Sequence, residues 1–263
     1  MTAGSLTVAF ALGAASPAAA HDTWLLPVRF ALPSGARIEA DLTSGMAFPR
    51  LESTVASDRL VAAALRVGSR TVRLEPASGT TALRLTAIAP AAGIAALWVA
   101  TRPRTLTLTP QQVEGYLPEI GASEAVAARW RRLQHWRETY SKLAKTYVRV
   151  GDGSDDRSWP EPVGLELEIV PLDDPTGVVA GHDLRLRILR ARQPLAGFPL
   201  SAVAAGGREP IMRTTAEDGT VSFTLNRPGA WLLRGTLIEE SAAPDADWKS
   251  LFTTLTVTVR PGP

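Results

Sequence analysis

Short stretches in which apolar and polar residues alternate run through most of the chain. Ile38, Ala40 and Leu42 alternate with Glu39, Asp41 and Thr43, and Leu83, Leu85 and Ala87 alternate with Arg84 and Thr86. A period of two places every second side chain on one face, the pattern of half-buried strands. Gly and Pro punctuate these runs at Pro33-Ser34-Gly35, Gly68, Gly79 and Pro90. Residues 94–100 are continuously apolar and end in Leu97-Trp98-Val99, which predicts a buried strand. The same alternation returns further on: Leu165, Leu167 and Ile169 against Glu166 and Glu168, then Leu184, Leu186 and Ile188 against Arg185 and Arg187. Asp218-Gly219 marks a tight turn ahead of Val221–Leu225, Arg227-Pro228-Gly229 turns into Trp231-Leu232-Leu233, and a last strand is expected from Leu255 to Val259.

Between these halves the pattern changes. Thr109-Pro110 reads as a helix start with Pro in the first helical position. Ser123 can cap a second helix, with Glu124 favourably placed in its first turn. Val126, Trp130, Leu133, Trp136 or Arg137, Tyr140, Leu143 and Tyr147 step by three or four, while Arg131, Glu138, Lys142 and Lys145 form the polar counterpart. That spacing predicts one amphipathic helix of about twenty residues or more. The fold class expected is therefore mainly β: two immunoglobulin-like β-sandwich domains joined by a helical segment. The sandwiches would occupy 21–108 and 151–263, and the connector 109–150.

The first twenty residues read as a secretory signal. An apolar stretch from Leu6 to Ala15 is followed by Pro17 and the small-residue run Ala18-Ala19-Ala20, although residues 1–5 lack the usual Lys or Arg. Cleavage after Ala20 would expose His21 as the mature N-terminus, in a periplasmic or secreted protein not inserted in the membrane after processing. No stretch approaches the roughly 18 consecutive apolar residues of a membrane span. The 28 basic and 26 acidic residues leave a net charge of +2. Only Arg129-Trp130-Arg131-Arg132 gathers like charge, which argues against nucleic acid as a partner. Cys is absent, so disulfides, thiolate metal sites and thiol chemistry are excluded.

Candidate chemistry is confined to a few positions. A free N-terminal amine and the imidazole of the same His can close a chelate on one ion, which makes His21 the leading candidate ligand. Two nitrogen donors suit nickel, cobalt or copper. Asp22 could add an oxygen or orient the ring. Met46 offers a thioether from a turn. His135, beside Trp136, is a further candidate ligand, and His182 reads as an ordinary turn residue before a strand. Gly151-Asp152-Gly153-Ser154-Asp155-Asp156 lacks the ligand spacing of a calcium loop and reads as a turn. Trp98 and Trp231 are expected in the core; Trp159 and Trp248, in loop-like stretches, could meet a partner or a sugar, but core or interdomain packing is the favoured reading. No nucleophile elbow, phosphate loop, dinucleotide fingerprint or His-Glu-x-x-His helix is present, so no enzyme is predicted.

Several segments taken in order resemble one family of exported proteins. They are His21-Asp22-Thr23-Trp24-Leu25-Leu26-Pro27, Gly45-Met46-Ala47-Phe48-Pro49, Tyr140–Lys145 with Val150-Gly151-Asp152, Val163–Pro171 with Asp174-Pro175, Pro194-Leu195-Ala196-Gly197, Thr214–Gly219 and Arg227–Leu233. Their order is similar to that of the nickel uptake transporter type, the periplasmic component of cobalt and nickel import systems. The resemblance implies a non-enzymatic metal-binding accessory or solute-binding protein that hands nickel or cobalt to a membrane transporter component. Two other readings stay open: a structural, glycan-binding or protein-binding sandwich, and a copper protein in which a second His completes a brace with His21.

Overall fold

The computed structural model describes residues 21–133, 135–152 and 155–262, so the expected signal segment lies outside the described residues. The first strands are β1 (Asp22–Pro27), β2 (Ala31–Leu32), β3 (Arg37–Gly45), β4 (Ser53–Thr54), β5 (Leu60–Val67), β6 (Arg70–Arg73), β7 (Glu75–Ser78), β8 (Leu83–Ile88), β9 (Gly93–Thr101) and β10 (Arg104–Leu108). Helices α1 (Pro110–Glu119) and α2 (Glu124–Leu133) follow, and then the long strand β11 (Trp136–Val150). The remainder is β12 (Leu167–Pro171), β13 (Asp183–Arg190), β14 (Gln193–Pro194), β15 (Pro199–Ala204), β16 (Ile211–Thr214), β17 (Thr220–Thr224), β18 (Gly229–Glu240) and β19 (Trp248–Val259). The expected mainly β class is observed.

Among the described residues the strands form three sheets. A five-stranded sheet runs β1-β3-β8-β7, with β4 on β3; a four-stranded one gathers β12, β14 and β17 on β13. Between them lies a ten-stranded sheet in the order β16-β15-β18-β19-β11-β9-β5-β6, with β2 and β10 pairing along β11. This sheet takes strands from both halves of the sequence, and alternate residues of β9 and β11 serve different cores. Ala95, Leu97, Val99, Ala144 and Val148 pack with Leu25, Ile38, Ala40, Leu42, Leu83 and Leu85 under the five-stranded sheet. Ile94, Ala96, Leu143 and Tyr147 pack with Leu167, Ile169, Leu184, Leu186 and Phe223 under the four-stranded one.

The expected helix is corrected here. The Ser123 cap is real, its Oγ accepting from the Val126 amide at 3.3 Å, but the helix ends at Leu133. Residues 136–150 form β11 instead, paired in parallel with β19 over Glu138–Thr146. A spacing of four residues satisfies both a helical stripe and one face of a strand, so Trp136 with Tyr140, and Leu143 with Tyr147, fit either template. The polar counterpart is not a solvated face either: Glu138, Lys142 and Lys145 are all buried. Trp248 opens β19 and does not lie in a loop; it is buried, as core packing requires, and stacks on Trp136 with centroids 4.8 Å apart. Trp159 is partly buried against the larger core.

The α1 start follows the sequence expectation. Thr109 caps it with a reciprocal pair: its Oγ1 accepts from the Gln112 amide at 3.3 Å, and Gln112 Oε1 accepts from the Thr109 amide at 2.9 Å. Val113, Tyr116 and Leu117 of α1, with Val126 and Trp130 of α2, cover Trp136, Tyr140, Trp248 and Phe252. One face of β11 therefore lies under the helices at its beginning and under the five-stranded sheet at its end. Lys142 falls on the seam between the two covers, where β1 begins.

Candidate functional site

The seam brings the start of β1 against the middle of the central sheet. Lys142 Nζ donates to the His21 carbonyl oxygen. The same ammonium sits 3.9 Å above the centroid of the Phe252 ring and 5.5 Å from that of Tyr140. The Lys142 amide donates to Thr101 Oγ1 at 2.9 Å, and Thr254 Oγ1 donates to the Thr23 carbonyl at 2.7 Å. His21 is half-buried, and the backbone beside it is fixed from two strands of the sheet.

Burial pushes the Lys142 ammonium down to about 8, against the opposing pull of Asp22 and Glu138. Glu119, at the end of α1, is pushed up by desolvation and by Asp22, with Arg234 and Lys142 acting in the other sense. Asp22 is itself ion-paired with the Arg234 guanidinium. Arg234 Nε also lies 3.4 Å from Ser201 Oγ on β15, so the start of β1 is tied to the C-terminal half. Two carboxylates and two cations thus interlock around the beginning of the strand. Deeper on the same face, burial raises Glu138, whose carboxylate accepts from Trp136 Nε1 at 2.7 Å and from Tyr116 Oη at 3.1 Å.

Two openings share the Asp22–Arg234 pair. A small pit of about 40 Å³ adds Glu119, Ser201, Met212 and Phe252. A groove of about 450 Å³ runs beside it, between the turn Met46–Arg50 and the turn Gly206–Pro210, floored by Phe48, Val203 and Leu232. The Gly206 amide donates to the Phe48 carbonyl at 3.2 Å, which ties the two walls together. Phe48 and Leu232 belong to a small core with Trp24, whose ring meets Phe48 edge-on at 5.7 Å. Gly45 has no room for a side chain: a Cβ there would come within 2.7 Å of Glu52, whose carboxylate accepts from the Met46 and Ala47 amides at 3.1 and 3.0 Å.

Three of the four expected ligand positions are brought together. Asp22 pairs with Gly45 across β1 and β3, which sets His21 beside the turn carrying Met46. Met46 is exposed, and so is Met212 on the other side of Arg234. His135 is elsewhere. It precedes β11, on which Trp136 and Lys142 are six residues apart, about 20 Å at roughly 3.3 Å per residue. Its Nδ1 lies 2.7 Å from the Leu133 carbonyl and its Nε2 lies 3.3 Å from Asp247 Oδ1. His182 sits in the turn before β13, its backbone bonded to Val179 and Leu225. Among the described residues no group of three or more His, Asp or Glu could hold a metal ion. Sequence reasoning missed Lys142, Glu119 and Arg234, because only the fold places them around His21. Asp22 was found, but its pairing with Arg234 spans 212 residues and left no local signal.

The fold and site define a mainly β protein whose central sheet is shared by two cores, with a polar seam at the start of its first strand. Residues 18–238 match a domain of unknown function, DUF4198, and the chain belongs to that family. No curated protein matches it. Among solved structures it is similar to SGBP-B of the Bacteroides ovatus mixed-linkage glucan utilization locus in complex with a mixed-linkage heptasaccharide, at 9% identity and a TM-score of 0.22, covering 89% of this chain and 46% of that one. A DUF4785 family protein of Legionella pneumophila gives 10% identity and a TM-score of 0.22, covering 79% and 49%. An I-band fragment of titin gives 11% and 0.20, covering 92% and 66%. The chain spans about half the length of the first two. Among the described residues no helix is long and apolar enough to cross a membrane.

Proposed function

We propose that the protein is an exported metal-binding accessory or solute-binding protein of nickel or cobalt uptake, and that the mature N-terminal His21 holds the ion. Its two halves are read as immunoglobulin-like sandwiches that share one sheet. The observation that carries the reading is the setting of His21: half-buried, its carbonyl held by Lys142, at the start of an ordered strand beside two openings. An amine freed there by processing would share the ion with the ring beside it. Asp22, already paired with Arg234, acts by fixing the strand start and the ring, and Met46 flanks the groove as a soft neighbour.

Few protein donors leave coordination positions open, which suits an ion that must be passed on. The receiving partner in this reading is a membrane transporter component, and the work is done in the periplasm or outside the cell. No reaction on a substrate is required. The test is competition for Ni²⁺ between a colorimetric chelator and protein that begins at His21. Wild type takes one equivalent and His21→Ala takes none; equal uptake by both would overturn the reading.

A further inference from the structure

The charge of the 450 Å³ groove says more about its occupant. Arg50 of the Met46–Arg50 turn, Arg208 of the Gly206–Pro210 turn and Arg234 line it; among the described residues lining it Asp22 is the one acid, and Glu209, exposed beside Arg208, does not line it. Asp22 is consumed by Arg234. The nearby Glu52 is consumed by the Met46 and Ala47 amides and does not line the groove. Among the described residues neither Arg50 nor Arg208 has a side-chain hydrogen bond or an ion pair. Two arginines whose charges have no partner among the described residues therefore line a common space with Phe48, Val203 and Leu232.

Guanidinium groups grip carboxylates through paired N–H donors, and two of them on opposite walls match a molecule with carboxylates at both ends. A space of this size takes a small molecule. The same charge repels a bare dication and attracts an anionic complex. We propose that the groove binds a small polycarboxylate through Arg50 and Arg208, and that this anion is the chelator on which the metal arrives. The second clause rests on the His21 reading: the carboxylates sit on the two arginines, and the amine and imidazole of His21 complete the ion's coordination from the edge of the groove. The apolar floor meets the carbon skeleton.

The experiment is titration calorimetry on protein beginning at His21, with Ni²⁺ alone, citrate alone and a one-to-one nickel–citrate mixture. Wild type should bind the mixture at least tenfold more tightly than either component. The double variant Arg50→Gln/Arg208→Gln should lose at least tenfold on citrate and on the mixture, with Ni²⁺ alone unchanged. Both residues are exposed, so the fold survives the change. Citrate that merely strips nickel from the protein, or binding indifferent to the arginines, would overturn the inference while leaving the His21 reading intact. Citrate binding that needs the arginines but is not tightened by nickel, with His21→Ala silent, would keep the carboxylate groove and overturn the metal reading.

Discussion

Lys145 and Glu168 form an ion pair of 2.6 Å with both side chains only 1% exposed. Removing either partner tests how the fold accommodates two buried charges. They are not equally supported. Gly164, at φ +93°, turns the chain so that three successive amides converge on the Glu168 carboxylate: Val163 at 2.8 Å, Gly164 at 2.9 Å and Leu165 at 3.2 Å. Lys145→Met leaves that carboxylate in its nest of donors, and breaking a buried pair this way should cost about 3 kcal/mol. Glu168→Ala leaves an ammonium without its counter-charge. Shedding the proton limits the damage, since neutralising a lysine at pH 7 costs roughly 5 kcal/mol. It also takes the acceptor from three amides, of which the buried one, at Leu165, is worth about 1–3 kcal/mol. The expected loss for Glu168→Ala is therefore about 5 kcal/mol or more, a fall in Tm of about 10 °C or more at roughly 2–4 °C per kcal/mol. Urea titration followed by circular dichroism gives both values. The deficit of Glu168→Ala should narrow as pH rises towards 10, because the unfolded lysine then binds more protons than the folded one. A Glu168→Ala variant no less stable than Lys145→Met would refute the reasoning.

Other outcomes follow from single contacts. Asp156 accepts from the Ile94 amide at 2.6 Å and the Ser158 amide at 2.8 Å; burial alone would raise its carboxyl, but these bonds outweigh it and hold the group below its ordinary value. The stabilisation is present above about pH 4, near the unfolded value, and is lost as pH falls through the folded one. Asp156→Asn should cost about 1 kcal/mol at pH 7 and flatten the acid limb of a stability–pH curve; an unchanged acid limb would refute this. Phe48→Ala should cost about 3 kcal/mol in a urea titration, because Phe48 is buried against Trp24 and Leu232. An unaltered midpoint would show that the groove floor lies outside the cooperative core.

Much of the fold is legible in the residues. A strand buried on one face shows clean alternation, as in β8, where Leu83, Leu85 and Ala87 face the core, and β3 shows it over Ile38, Ala40 and Leu42. The Thr109 capping pair and the turn at Gly219, φ +74°, are local chemistry and read directly. β11 defeats the same logic, because it lies between two cores and is buried on both faces. Its charges then look like a solvated stripe, although Glu138 is satisfied by Trp136 and Tyr116 and Lys145 by Glu168. The site is legible only in part. His21, Asp22 and Met46 stand near one another in sequence and in space, whereas Arg234, Arg208 and Lys142 reach them from distant strands and turns.

The central claim concerns one amine. Calorimetry with Ni²⁺ on protein beginning at His21, beside the same chain retaining Ala20, tests it most directly. The account predicts one site in the first protein, weakened at least about tenfold, or 1.4 kcal/mol, by the extra residue, which turns the amine into an amide. Equal affinity in the two proteins would contradict it.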